Sequence, residues 1–224
     1  MTNAEGLEEP RIIKVPEDPE QWQTLVEVGG RIVARGGLVV LPTDTLYGVG
    51  CDPFNASAVE ALFKAKGRGR DLPLPVLVHT WRQAIGLVED LPEQARSLIA
   101  EFWPGPLTIV LREAPGIGWD LGYSRGTVAV RMPRQDFALA LIERTGPLAV
   151  TSANRTGQPP ASGVDAIVRE LPDVDVYFDA GEAGGGPAST IVDLSGHGPR
   201  LLRVGAIPLY ELERVLEEPL IDAE

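Results

Sequence analysis

What most restricts the fold of this chain is a series of apolar runs too short to be helices, set between amphipathic stretches that end at glycine or proline. Leu38 to Leu41 is one such run, closed by Pro42, and its lack of alternation is the pattern of a strand covered on both faces. Further strands are expected around Leu74 to Val78 and at Leu107 to Leu111, Thr127 to Arg131 and Leu148 to Thr151. Three more should follow at Val176 to Phe178, Thr190 to Leu194 and Leu201 to Val204. Between them, a helix should start near Asp18 or Pro19 and stop at the Gly36-Gly37 pair, and another should run from an Asn55 cap to Gly67. Other helices are expected from about Pro92 to Phe102, through Phe137 to Ile142, near Val164 to Leu171 and from Pro208. Strands and helices interleave without a strict βαβ repeat, so the fold class is α/β with a mixed, twisted sheet. At 224 residues the chain can bury one sizeable core. The organisation expected is an acidic arm over residues 1–20, one domain over 21–216 and an acidic tail over 217–224.

Charge narrows the function classes. The net charge is −12, yet six acids fall in residues 1–20 and six in 211–224, leaving 20 acids against 17 bases between them. Two of the three lysines, Lys64 and Lys66, share one short stretch with Arg68 and Arg70, a local cluster able to attract an anion. No apolar run is long enough to cross a bilayer and the acidic start is unlike a signal peptide, so a soluble, cytosolic protein is expected. A single cysteine, Cys51, and two distant histidines, His79 and His197, exclude an internal disulfide and the usual Cys/His zinc site.

The common phosphate-binding and hydrolase signatures are absent. What remains is a set of strand-end loops rich in hydroxyls, glycines and isolated charges. PTDTLYGVG at 42–50 aims hydroxyls off a strand end, or is a turn in which Thr43 or Asp44 satisfies backbone groups. KAKGRGR at 64–70 offers lysine point charges and arginine forks to a polyphosphate, or cations to the C-terminal end of a helix dipole. In TVAVRMP at 127–133, alternation puts Thr127, Ala129 and Arg131 on the face opposite Val128 and Val130. An arginine at the end of a buried strand pairs with a carboxylate of the protein or of a ligand. TSANRTGQPPAS at 151–162 delivers Ser152 and Asn154 into a Gly/Pro-rich loop, while Ser189 opens one strand and Arg203 sits near the end of another.

Taken in order, PTDTLYGVG, AKGRGRDLPLPVLV, FWPGPLTIVL, GTVAVRMP, TSANRTGQPPAS, STIVDLSG and LLRVGAI resemble the YrdC-type family of L-threonylcarbamoyl-AMP synthases over roughly residues 20–216. The resemblance implies an α/β sandwich whose twisted sheet lines a concave, positively charged cavity. It places the family's Lys-x-Arg pair on Lys66 and Arg68 as catalytic residues, and its Ser-x-Asn pair on Ser152 and Asn154. Thr45, Arg131, Ser152 and Ser189 would then meet L-threonine, and Arg68, Thr127, Asn154, Ser162 and Arg203 would meet ATP. Leu72 and Leu77 stand where family members often have Asn and His; His79, two residues late, is no substitute.

The chemistry implied is condensation of threonine with bicarbonate or CO2, followed by attack on ATP and loss of pyrophosphate. Magnesium would arrive with ATP and not on protein ligands, and the product would pass to a tRNA threonylcarbamoyl transferase complex, with direct RNA binding left open. Two other readings share the fold. A double-stranded RNA-binding or ribosome-maturation module is opposed by the acidic ends, and a carbamoyl-transfer domain of the hydrogenase-maturation kind by the lack of zinc-binding cysteines.

Overall fold

The computed structural model describes residues 11–182 and 186–222. Its strands are β1 (Ile12–Lys14), β2 (Val39–Leu41), β3 (Gly48–Cys51), β4 (Val76–Leu77), β5 (Leu107–Arg112), β6 (Thr127–Arg131), β7 (Leu148–Ser152), β8 (Val176–Asp179), β9 (Thr190–Asp193), β10 (Arg200–Arg203) and β11 (Ile221–Asp222). Its helices are α1 (Trp22–Ala34), led in by one 3-10 turn at Pro19–Gln21, then α2 (Ala56–Lys66), α3 (Trp81–Ile85), α4 (Glu93–Phe102), α5 (Asp136–Thr145), α6 (Val164–Glu170) and α7 (Leu209–Leu216). The strands make one sheet in the order β1-β8-β2-β3-β7-β4-β6-β5-β9-β10-β11. Parallel and antiparallel pairs both occur, so the sheet is mixed as the interleaved pattern requires.

Local chemistry sets the ends of α2. The Asn55 side chain accepts hydrogen bonds from the Ser57 and Ala58 amides, and Gly67 closes the helix with φ 58°, a left-handed conformation that glycine adopts at little cost. Four elements escape the sequence reading. β1 and β11 are edge strands inside the stretches expected to be an arm and a tail: Ile13 pairs with Phe178, and Arg200 with Ile221. These two short strands join the sheet at its two edges. The short helix α3 is capped by Thr80, whose side chain accepts from the Gln83 amide.

The fourth, β3, reads as loop because glycine alternates through it. The packing explains this: a Cβ on Gly48 would lie 2.5 Å from Val150 Cγ1, and one on Gly50 would lie 2.6 Å from Val150 Cγ2 and 2.9 Å from the Ala149 carbonyl. Glycine lets β3 sit against the side chain of Val150 in its neighbour β7.

The two faces of the sheet are covered unequally. On one, Val40, Val49, Val76, Ile109, Val128, Val130 and Val192 pack in a single cluster with residues of α2, α4, α6 and α7, among them Leu62, Leu98, Ile167 and Leu212. On the other, Val39, Leu41, Leu77, Leu148, Val150 and Phe178 pack against Ile32 and Val33 of α1 and Phe137 and Leu141 of α5. That second cluster takes in no residue of β5, β6 or β9, and there the sheet face is the floor of an open cavity.

Candidate active site

The cavity has a volume of about 490 Å3. Its floor carries Thr108 and Val110 of β5, Thr127, Ala129 and Arg131 of β6, and Ile191 of β9, so the alternation read from TVAVRMP is the alternation observed. Among the described residues, three arginines line it, Arg68, Arg131 and Arg203, and no lysine or carboxylate does.

Arg131 is buried, and the protein itself supplies its carboxylate. Nη2 donates to Asp44 Oδ1 at 2.6 Å, Nη1 to Thr45 Oγ1 at 3.1 Å and Nε to the Gly105 carbonyl at 3.0 Å. The PTDT loop and the Trp-Pro-Gly-Pro turn thus clamp one guanidinium from two sides. Burial pulls this arginine below its ordinary pKa, and the Asp44 carboxylate opposes that shift. Three of the five guanidinium N–H groups are taken in this way among the described residues, leaving one on each terminal nitrogen.

Ser189 and Arg203 form a second group. Ser189 Oγ lies 2.8 Å from Thr108 Oγ1 and accepts from Arg203 Nη2 at 3.0 Å, while Arg203 Nε donates to the Ser189 carbonyl at 2.9 Å. Behind them, Thr190 Oγ1 accepts from the Gly205 and Ile207 amides, tying STIVD to the LLRVG segment. Arg68 faces the cavity from the other side, with Nε on the Leu72 carbonyl at 2.7 Å, Nη2 on the Pro73 carbonyl at 3.1 Å and Nη1 3.4 Å from Thr151 Oγ1. Burial lowers the pKa of both Arg68 and Arg203.

Of the residues singled out in the sequence, Thr45, Arg68, Thr127, Arg131, Ser152, Ser189 and Arg203 are brought to the cavity wall; Lys66, Asn154 and Ser162 are not. Lys66 is 2% exposed, and its Nζ donates to the Ser152 carbonyl at 2.5 Å and to the Asn154 carbonyl. The Asn154 amide donates to the Arg155 and Gln158 carbonyls, and its Oδ1 is buried with no partner among the described residues. Ser162 is exposed. Leu72 and Leu77 both line the cavity and add to its apolar side, whereas His79 bonds to Gln83 of α3 and takes no part.

Arg70, the last cation of the KAKGRGR cluster, does not line the cavity. It pairs with Glu60 at 2.8 Å and also with Asp120, and its carbonyl accepts from the Tyr123 amide at 2.7 Å. These contacts pin the glycine-rich loop over residues 114–126, whose Leu121 and Ser124 form part of the wall. Sequence reasoning passed over Thr108 and gave Asp44 only a turn-forming role. Thr108 was legible as the one polar residue in the apolar run Leu107 to Leu111, but Asp44 becomes a partner only through a contact 87 residues away.

The family Sua5_yciO_yrdC, described as "Telomere recombination", matches residues 31–205. A Mycobacterium tuberculosis protein named "Putative threonylcarbamoyl-AMP synthase" is 49% identical over 200 residues, covering 89% of this chain and 92% of its own length. The crystal structure of Pyrococcus abyssi Sua5 complexed with L-threonine superposes with a TM-score of 0.87 at 37% identity, over 94% of this chain and 62% of that one. The chain therefore spans less than two thirds of that relative. Escherichia coli YciO superposes with a TM-score of 0.80 at 25% identity, over 91% of this chain and 98% of that one.

Proposed function

Because this chain belongs to the Sua5/YciO/YrdC family, we propose that it condenses L-threonine, bicarbonate or dissolved CO2, and ATP to L-threonylcarbamoyl-AMP and pyrophosphate. The product would serve the threonylcarbamoyl modification of the tRNA adenosine beside the anticodon, passing to a tRNA threonylcarbamoyl transferase complex. The observation that carries this reading is Arg131: a buried guanidinium, locked by Asp44, Thr45 and Gly105, on the wall of a cavity that no carboxylate lines among the described residues. It has the geometry to hold an amino-acid carboxylate through its two remaining N–H groups. The threonine-bound relative and the synthase-named relative support the same assignment.

The chemistry asks for positioning and charge neutralisation more than for a protein nucleophile. The threonine amine adds to CO2 and releases a proton, giving a carbamate. A carbamate oxygen then bonds to the α-phosphorus of ATP as the bond to the bridging oxygen breaks, and the electron pair leaves with pyrophosphate. Thr45, Ser152 and Ser189 orient the amino acid, and Arg68, Thr127 and Arg203 meet the nucleotide, the two arginines bearing the charge of the phosphates. Asn154 and Ser162, which the family resemblance also assigns to ATP, stand outside the cavity wall in this structure. Magnesium is proposed to enter on the ATP phosphates; among the described residues no group of three or more His, Cys, Asp or Glu could hold a metal ion. Bound there, magnesium would supply further neutralisation of phosphate charge.

The test is incubation with threonine, bicarbonate, magnesium and ATP. Pyrophosphate and an acyl adenylate should form only when threonine and bicarbonate are both present. ADP and phosphate as products would refute the proposal.

A further inference from the structure

The cation most deeply placed beside the cavity does not open onto it. Lys66 ends α2, and three contacts bind it to the turn that follows β7: Nζ donates to the Ser152 carbonyl at 2.5 Å and to the Asn154 carbonyl, and the Lys66 carbonyl accepts from the Thr156 amide at 3.0 Å. The side chain is buried and Lys66 is absent from the cavity lining, whereas Ser152 is among the lining residues. Two of the three ammonium N–H groups are committed to these backbone carbonyls.

We propose that Lys66 is a positioning residue: its ammonium fixes the Ser152 and Asn154 carbonyls, and so aims the Ser152 hydroxyl at the bound amino acid, without touching the nucleotide. The part concerning the amino acid rests on the function proposed above; the geometry of the strut does not. Two carbonyls on one buried cation, one of them buried and the other part-buried, make a strong local restraint, because leaving a buried carbonyl without a donor is costly. The surroundings agree. Burial pulls the Lys66 ammonium down to about 8, with Arg68 pushing the same way and Glu170 opposing, so no anion of the protein dominates its environment.

Lysine ε-carbon NMR of the full chain tests this directly, since there are only three lysines and Lys14→Arg and Lys64→Arg assign the other two signals. The Lys66 signal should titrate at about 8, and saturating inorganic pyrophosphate or ATP should raise its midpoint by less than one pH unit, the through-space effect of neutralising Arg68. A rise of one pH unit or more on adding either anion would show direct phosphate contact and overturn the proposal. A second arm measures threonine affinity by calorimetry in Lys66→Met, alone and with Ser152→Ala. Lys66→Met should weaken binding at least tenfold in the native background and less than twofold further once Ser152 is already alanine. Equal losses in both backgrounds would overturn the positioning role. If Lys66→Met does not fold, the NMR arm on the unaltered residue decides. If the native protein binds no threonine, the proposed function falls while the titration still decides the placement of Lys66.

Discussion

Replacing Arg131 by Gln separates two roles that one side chain fills. The Arg131 and Asp44 side chains are 8% and 12% exposed and 2.6 Å apart. Removing only the cation strands a carboxylate in a largely dry site, a change that costs on the order of 3–5 kcal/mol of stability. The same change deletes the donors proposed for the threonine carboxylate, and truncating one side of a desolvated charge pair weakens binding by roughly 2–5 kcal/mol. Asp44→Asn in the same chain removes the stranded charge. The double variant should therefore recover most of the lost stability in urea denaturation, yet bind threonine as poorly as the single variant in calorimetry. Near-native threonine affinity in the double variant would mean that Arg131 is structural only, and the reasoning from its two unpaired N–H groups would be wrong. A single variant as stable as the native protein would refute the burial argument instead.

Other tests reach different parts of the molecule. Gly48→Ala should cost about 1–3 kcal/mol and be relieved by Val150→Ala, because the obstacle at 2.5 Å is a side-chain methyl; Gly50→Ala should be relieved less, since a backbone carbonyl 2.9 Å away stays in place. Urea melts of the four variants decide it. Burial, helped by Asp52, pushes the Cys51 thiol up to about 12, so alkylating reagents at pH 8 should label it only after denaturation. The unfolded thiol ionises first, so this group withdraws stability as pH climbs above about 9, and Cys51→Ala should flatten that part of the stability profile. Arg70→Gln should change stability by no more than about 1 kcal/mol, its ion pairs being largely exposed, while hydrogen exchange speeds up in residues 114–126 and KM rises.

Much of this was legible wherever local rules decide the outcome. The β6 alternation, the Asn55 cap, the Gly67 stop and the placing of Arg131 and Thr127 on one strand face follow from period and capping alone. β3 was not legible, because its glycines answer to Val150, a residue about 100 positions away. Nor were the edge strands β1 and β11, only three and two residues long and held by their neighbours in the sheet. The partners of Lys66 and Arg70 were hidden for the same reason. A cation near a helix end reads alike whether it faces water, phosphate or a carbonyl from the far half of the chain.

Lys66, Arg68 and Arg70 alternate along five residues and point at three unlike neighbours: the turn after β7, the cavity and the loop over 114–126. Such a stretch works as a distributor, in which spacing carries as much meaning as composition. Exchanging one basic residue for another would disturb a single branch. Deleting one residue between Gly67 and Gly69 would shift the phase of those beyond it and disconnect two walls of the cavity from α2 together. Anyone moving this pocket into another scaffold would have to carry the helix end, the turn at 152–156 and the loop at 114–126 as one cassette.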